Sequence, residues 1–102
     1  MWATEGLKVN PSAGTILADT GAVGSLLTLS VTLIAWTNTG VLVDIAQRNL
    51  GNTADVNVQR IVISATSTFN TVNVPVHLAL GQRLVVRTVS DMTGQVQVSI
   101  LT

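Results

Sequence analysis

The 102-residue chain has no cysteine, which excludes disulfide bonds, thiol catalysis and zinc sites built from thiolates. Aromatic residues are almost as scarce, because Trp2, Trp36 and Phe69 are the only ones in the sequence. Few side chains are therefore present on which a flat ligand can stack.

Charge is also scarce, since charged residues make up 10% of the sequence and the formal net charge is zero. A soluble monomer usually carries about a quarter of its residues as charges, so we expect other protein to cover part of this surface. The arginines are widely separated in the sequence. Because phosphate binding requires clustered cations, nucleic acid is not an expected partner.

Long apolar runs are missing as well. Residues 26 to 36 form the strongest apolar stretch, which is about half the length needed to cross a bilayer and contains three hydroxyl residues. The first residues lack both the basic region and the apolar region of a secretion signal. We therefore expect no membrane partner.

Apolar and polar residues alternate in many short segments, which is the pattern of half-buried strands. Leu29, Val31 and Leu33 illustrate it in one segment, and Val72, Val74, Val76 and Leu78 do so in another. Pro75 predicts that the second segment lies at a sheet edge or bends there. With seven or eight such strands and no helical period, the sequence predicts an all-β antiparallel sandwich or jelly roll, with a meander barrel as the alternative because periodicity does not give the strand order.

Breaker residues divide the chain into an arm and one domain. We expect an extended N-terminal arm over residues 1–14 and a single β-sandwich domain over residues 15–102. The turn Asn38-Thr39-Gly40 predicts that the strands before and after it form a hairpin.

Several predicted strands are apolar on both faces, although a two-layer sandwich buries only one face of each sheet. In the segment from 56 to 63, for example, the alternation favours valines facing the core and isoleucines facing away. A second apolar face predicts a partner surface, and an aromatic ring in the arm predicts an anchor on a neighbouring chain. The expected interface residues are Trp2, Ile34, Trp36, Ile61, Ile63, Val85 and Val89.

No catalytic constellation is recognisable. His77 lies on the polar face of its strand without an oriented partner, so a hydrolase based on it is disfavoured. The segment 21–25 resembles a phosphate loop but lacks its lysine. Asp55 with Asn52 and Asn57 offers oxygen ligands for calcium without a dense ligand loop. We expect no enzyme activity, no cofactor and no metal.

Residues 74–101 resemble the closing strands of trimeric jelly-roll modules, found in proteins of the tumour-necrosis-factor type and in small bacteriophage virion proteins. The resemblance lies in residues 80–86. There a leucine is followed by a turn of glycine, a polar residue and a charged residue, and the turn leads into a strand of alternating residues. The last strand of those modules packs near the threefold axis, a place that residues 96–101 would take. The likeness implies a homotrimer.

These observations lead to one functional hypothesis and one alternative. The favoured hypothesis is a non-enzymatic structural protein of a virion, a homo-oligomer expected to be a trimer, such as a capsid decoration bound to the major capsid protein or another virion protein. The alternative is a carbohydrate-binding or receptor-binding module that uses Trp36 and the loops 47–55 and 64–70, with a glycan as partner.

Overall fold

The computed structural model describes residues 7 to 66 and 68 to 101. These residues form eight β-strands and no helix. The strands are β1 (Lys8–Val9), β2 (Ile16–Asp19), β3 (Leu27–Thr37), β4 (Val41–Arg48), β5 (Asp55–Ile63), β6 (Asn70–Leu78), β7 (Arg83–Thr88) and β8 (Gly94–Leu101).

The strands form two antiparallel four-stranded sheets. The first sheet has the order β1-β8-β3-β6 and the second has the order β2-β7-β4-β5. The chain thus pairs with itself from both ends inward, first strand with eighth, second with seventh, third with sixth and fourth with fifth. This pairing is that of a jelly roll, in which one long hairpin wraps into two Greek keys. The predicted fold class is confirmed.

The core lies between the sheets and is made by every second side chain of the central strands. Leu29, Val31 and Leu33 of β3 have no solvent exposure, and in β8 Val96 has none and Val98 is 1% exposed. Burying an aliphatic side chain of this size contributes about 1.5–3 kcal/mol. The alternation predicted for these strands is confirmed.

The hairpin expected around residues 38–40 does not form, because β3 and β4 belong to different sheets. Both edges of β3 are already occupied, by β6 on one side and by β8 on the other. The turn instead carries the chain from one sheet to the other. Its Asn38 amide donates to the Thr93 carbonyl, which ties it to the loop before β8.

The faces of β5 are opposite to those that the sequence predicted. Ile61 and Ile63 pair with core residues of β4 and point into the sandwich, where Ile63 is 3% exposed and Ile61 packs against the core. Val58 and Val62 point outward. The reason is the register with β4, which sets Ile61 and Ile63 beside the core residues Val43 and Val41 and so turns the valines outward.

The described part of the expected arm belongs to the domain. Lys8 and Val9 pair with β8, and the amide of Asn10 donates to the Gly94 carbonyl. Pro11 is buried, and its carbonyl accepts a hydrogen bond from the Met92 amide. Residues 8 to 14 therefore bond to their own chain. Trp2 lies outside the described residues.

Candidate functional site

The outer face of the first sheet is almost free of charge. Because side chains alternate along a strand, the partners of the core residues point away from the sandwich. We call this surface the neutral face, and its residues are Val9, Thr28, Ser30, Thr32, Ile34, Trp36, Thr71, Asn73, Pro75, His77, Gln95, Gln97, Ser99 and Leu101. His77 is the one ionisable residue among them.

Cross-strand hydrogen bonds order the polar part of the neutral face. The Asn73 amide nitrogen donates to the hydroxyls of Thr32 and Ser30 at 2.7 and 3.0 Å. His77 and Thr28 are joined by a hydrogen bond of 3.0 Å between the ring nitrogen and the hydroxyl. Neighbouring hydroxyl and amide groups therefore hold one another in place, which lowers the conformational entropy lost on binding.

Trp36 lies at one end of the neutral face and is half-buried. It stands opposite Gln95 in the pairing of β3 with β8. Phe69, which is 55% exposed, directly precedes Asn70, the residue of β6 that pairs with Ala35 beside Trp36. This end of the face thus combines aromatic rings with amide groups.

The outer face of the second sheet has the opposite character. It carries all four arginines and three aspartates, although these residues are distant in sequence. We call this surface the charged face, and its ionisable residues are Asp19, Asp44, Arg48, Asp55, Arg60, Arg83 and Arg87. The pairing of period-two strands collects them on one side of one sheet.

The charged face is an ion-pair network. Asp55 accepts from Arg87 at 2.8 Å and from Arg48 at 2.6 Å, and Asp44 accepts from Arg60 at 2.8 Å. The hydrogen bond from Arg87, more than its charge, lowers the pKa of the Asp55 carboxyl, and the bond to Asp55 raises the pKa of Arg87. Since each arginine has an acidic partner, the clustered cations do not make a phosphate-binding surface.

A shallow cavity of about 230 Å³ opens on the charged face. Arg48, Arg87 and Asp19 line it with Asn52, and Val85 and Ile16 supply its apolar part. Its polar groups are occupied by one another, because Arg48 donates to Asn52 and to Asp55.

The predicted interface residues fall into three places. Ile34 and Trp36 lie half-buried on the neutral face, where the prediction expected an apolar surface free for a partner. Val85, 5% exposed, lies on the charged face, and Val89 follows β7, its amide bonded to the Leu42 carbonyl. Ile61 and Ile63 do not belong to an outer surface, since the protein's own core takes them.

The candidate catalytic and metal groups remain apart. His77 is exposed and bonds to Thr28, with no acid beside it on the neutral face. Asn52 and Asp55, considered for calcium, direct their side-chain oxygens at guanidinium groups. Within residues 7–66 and 68–101, no group of His, Cys, Asp or Glu is arranged to hold a metal ion.

The two loops proposed for glycan binding lie at opposite ends of the sandwich. The loop around Thr66 bonds to Thr37 and so adjoins Trp36. The loop around Leu50 follows the far end of β4, where Leu50 lies against Gly81. Only the first loop belongs to the Trp36 end of the molecule.

The charged face was missed because the arginines are far apart in the sequence. The signal that identifies it is positional: Asp44 and Arg60 occupy outward positions of two strands joined by a short loop, at which cross-strand pairs form.

No described segment is a helix long and apolar enough to span a bilayer. No protein-family model and no curated protein matches the chain.

Proposed function

We propose that the protein is a non-catalytic structural protein of a virion, which assembles with itself as a trimer and decorates or stabilises the capsid or another part of the particle. One observation carries the proposal, the sorting of charge between the two outer faces. The neutral face has no aspartate, glutamate, lysine or arginine, whereas the charged face holds all four arginines.

Depletion of charge distinguishes the centre of a protein interface from ordinary surface. The neutral face has this property, with Ile34 on its strand β3 next to Trp36, which lies at one end of the face. The jelly-roll strand order is also common among capsid proteins. The trimer rests on the resemblance of residues 74–101 to the closing strands of trimeric modules.

Native mass spectrometry of the full chain, with Ile34→Arg as the test variant, examines self-assembly. We expect a multiple of three copies for the wild type and loss of that species in the variant, because the arginine must be desolvated in the contact. Leu80→Arg is the matched control, since Leu80 is 63% exposed and lies in the turn between β6 and β7, not among the residues of the neutral face. A monomeric wild type, or an Ile34→Arg protein of unchanged mass, contradicts the proposal.

The virion role has its own test. Peptides of the chain should cosediment with intact particles purified from the producing cells, at a fixed copy number relative to the major capsid protein. Absence of the chain from such particles contradicts this part of the proposal.

A second candidate function is the binding of a neutral glycan at the Trp36 end of the neutral face. The observation in its favour is the combination of Trp36, Gln95 and the exposed Phe69 in a region without charge. A glycan array followed by tryptophan fluorescence titration tests it, and Trp36→Phe should weaken the response. A null array with a trimeric mass favours the structural role.

A further inference from the structure

Four strands form the edges of the two sheets in the described part of the chain, and three of them carry a feature that hinders strand pairing. The β1 strand has two residues, β2 has four with a register shift, and β6 contains Pro75. Short, irregular and proline-containing edges are the means by which proteins prevent edge-to-edge association. The remaining edge is β5.

The β5 edge has none of these protections along most of its length. It has nine residues with neither proline nor lysine, and its one irregularity is a register shift at the end next to Arg48. Residues 55 to 60 are exposed on both faces, and Val56, Val58 and Val62 are 57%, 41% and 68% exposed. A long edge strand with exposed β-branched side chains is suited to accept another strand.

The two charged side chains of β5 do not prevent its free edge from pairing with another strand. Asp55 is bonded to Arg48 and Arg87, and Arg60 is bonded to Asp44. All of these partners lie on β4 and β7, on the side opposite the free edge. The ion pairs therefore hold both charged side chains away from an incoming strand.

We infer that β5 pairs with the β5 strand of a second copy, antiparallel about a twofold axis at Gln59. Gln59 is the midpoint of Asp55–Ile63, so this register aligns all nine residues. It sets Val56 opposite the second Val62 and Val58 opposite the second Arg60, and no like charges face each other. Because the strand complements itself, a second copy is the occupant that the edge fits.

The side of the sandwich next to this edge is open. A cavity of about 280 Å³ separates the end of β5 from the start of β6, with Val62, Ile63 and Val72 in its lining. Nothing in the described residues covers the outward side of Val62, which is 68% exposed. Pairing with a second β5 strand would join the β2-β7-β4-β5 sheets of the two copies into a single sheet of eight strands. The added strand would cover these valines.

This inference rests on the proposed self-assembly but uses a different surface from the neutral face. If both contacts form, two trimers join through β5 pairs and the particle in solution is a hexamer. The two contacts are therefore separable by mass.

Cysteine cross-linking tests the twofold pairing directly, because the natural chain has no cysteine. In Gln59→Cys, two thiols face each other at a Cα separation of about 4.5–5.5 Å, within the range of a disulfide. We expect most of the protein to become a covalent dimer under mild oxidation. Leu26→Cys is the control, since Leu26 is 78% exposed but lies before β3. Equal dimer yields in the two variants overturn the inference.

The double substitution Val58→Lys and Val62→Lys tests the edge without cysteine, because lysine on an edge strand blocks pairing. We expect its native mass to be half that of the wild type, with an unchanged circular dichroism spectrum. A hexamer that becomes a trimer supports both proposals, and a dimer that becomes a monomer supports the β5 contact while contradicting the trimer. A wild-type trimer whose mass is unchanged in the variant overturns the β5 contact and leaves the trimer standing, whereas a monomer in both overturns the two proposals together.

Discussion

Asp44 and Arg60 lie directly opposite each other on β4 and β5, and the Arg60 side chain donates two hydrogen bonds, 2.8 and 3.1 Å long, to the Asp44 carboxylate. The Asp44 side chain is 5% exposed, whereas that of Arg60 is 53% exposed. The pair thus joins a buried anion to a cation that still contacts water. The stability of the folded protein depends on this cation, because a buried carboxylate without a partner is strongly unfavourable.

Arg60→Ala should lower the free energy of unfolding more than the loss of an exposed ion pair does, because Asp44 would retain only the more distant Arg87, 3.8 Å away. Arg83→Ala is the matched control, since its partner Asp19 has a 38% exposed side chain and such pairs contribute about 0–1 kcal/mol. Urea denaturation of both variants measures the difference. Equal effects would contradict the role assigned to Asp44.

The stability of the protein should fall in acid partly through Asp55. Its pKa is lowered in the folded state, chiefly by the hydrogen bond from Arg87, so the folded protein holds this carboxyl ionised at a pH where the unfolded chain protonates it. The contribution is therefore present above the ordinary pKa near 4 and is lost as the pH falls through the lowered value.

Asp55→Asn should remove this part of the pH dependence, leaving a smaller stability difference between pH 6 and pH 3 than in the wild type. The expected effect is up to about 1 kcal/mol, as is usual for a partly exposed ion pair. Urea denaturation at the two pH values measures it. An unchanged pH dependence in Asp55→Asn would contradict the contribution assigned to this carboxyl.

Gly94→Ala should destabilise the fold by about 2–4 kcal/mol, since a side chain there collides with the chain beside Trp36. A Cβ atom at Gly94 would lie 2.0 Å from the Trp36 carbonyl oxygen, and the φ angle of 151° disfavours any L side chain. Gly24→Ala is the control, because a Cβ atom at Gly24 meets nothing within 4 Å. Thermal unfolding should separate the two variants, and similar midpoints would contradict the close approach.

Leu33→Ala should destabilise the protein by about 2–5 kcal/mol, the range for a leucine removed from a packed core. Leu33 has no solvent exposure, whereas Leu26 is 78% exposed, so Leu26→Ala should change stability by less than about 0.5 kcal/mol. Denaturant midpoints of the two variants compare the same chemical change inside and outside the core. Similar midpoints would mean that β3 does not face the core as described.

Much of the fold is predictable from the alternation of side chains. Leu29, Val31 and Leu33 are buried as their spacing predicts, and Pro75 correctly places β6 at an edge. Alternation does not specify which of two apolar sets faces inward. Ile61 and Ile63 were assigned to the wrong side because β5 is apolar on both faces, and the register with β4 decides between them.

The candidate surfaces were less accessible to sequence reasoning. The serines and threonines that alternate along β3 indicate a polar outer side of that strand, which is part of the neutral face. Ile34 and Trp36 were correctly placed on this outer side and not among the core residues of β3. The charged face was not foreseen, because Arg83 and Arg87 of β7 meet Arg48 and Asp44 of β4 only through a pairing between strands that are distant in the chain.

The sequence by itself determined that this protein is all-β, free of disulfides and built from short alternating strands, because period-two patterning and strand propensity are local properties. Only the tertiary structure decided which strands are neighbours, and with them the separation of charge onto one outer face and the unprotected β5 edge. Strand pairing is a long-range choice, and a one-residue change of register would exchange the buried and exposed sets of any edge strand.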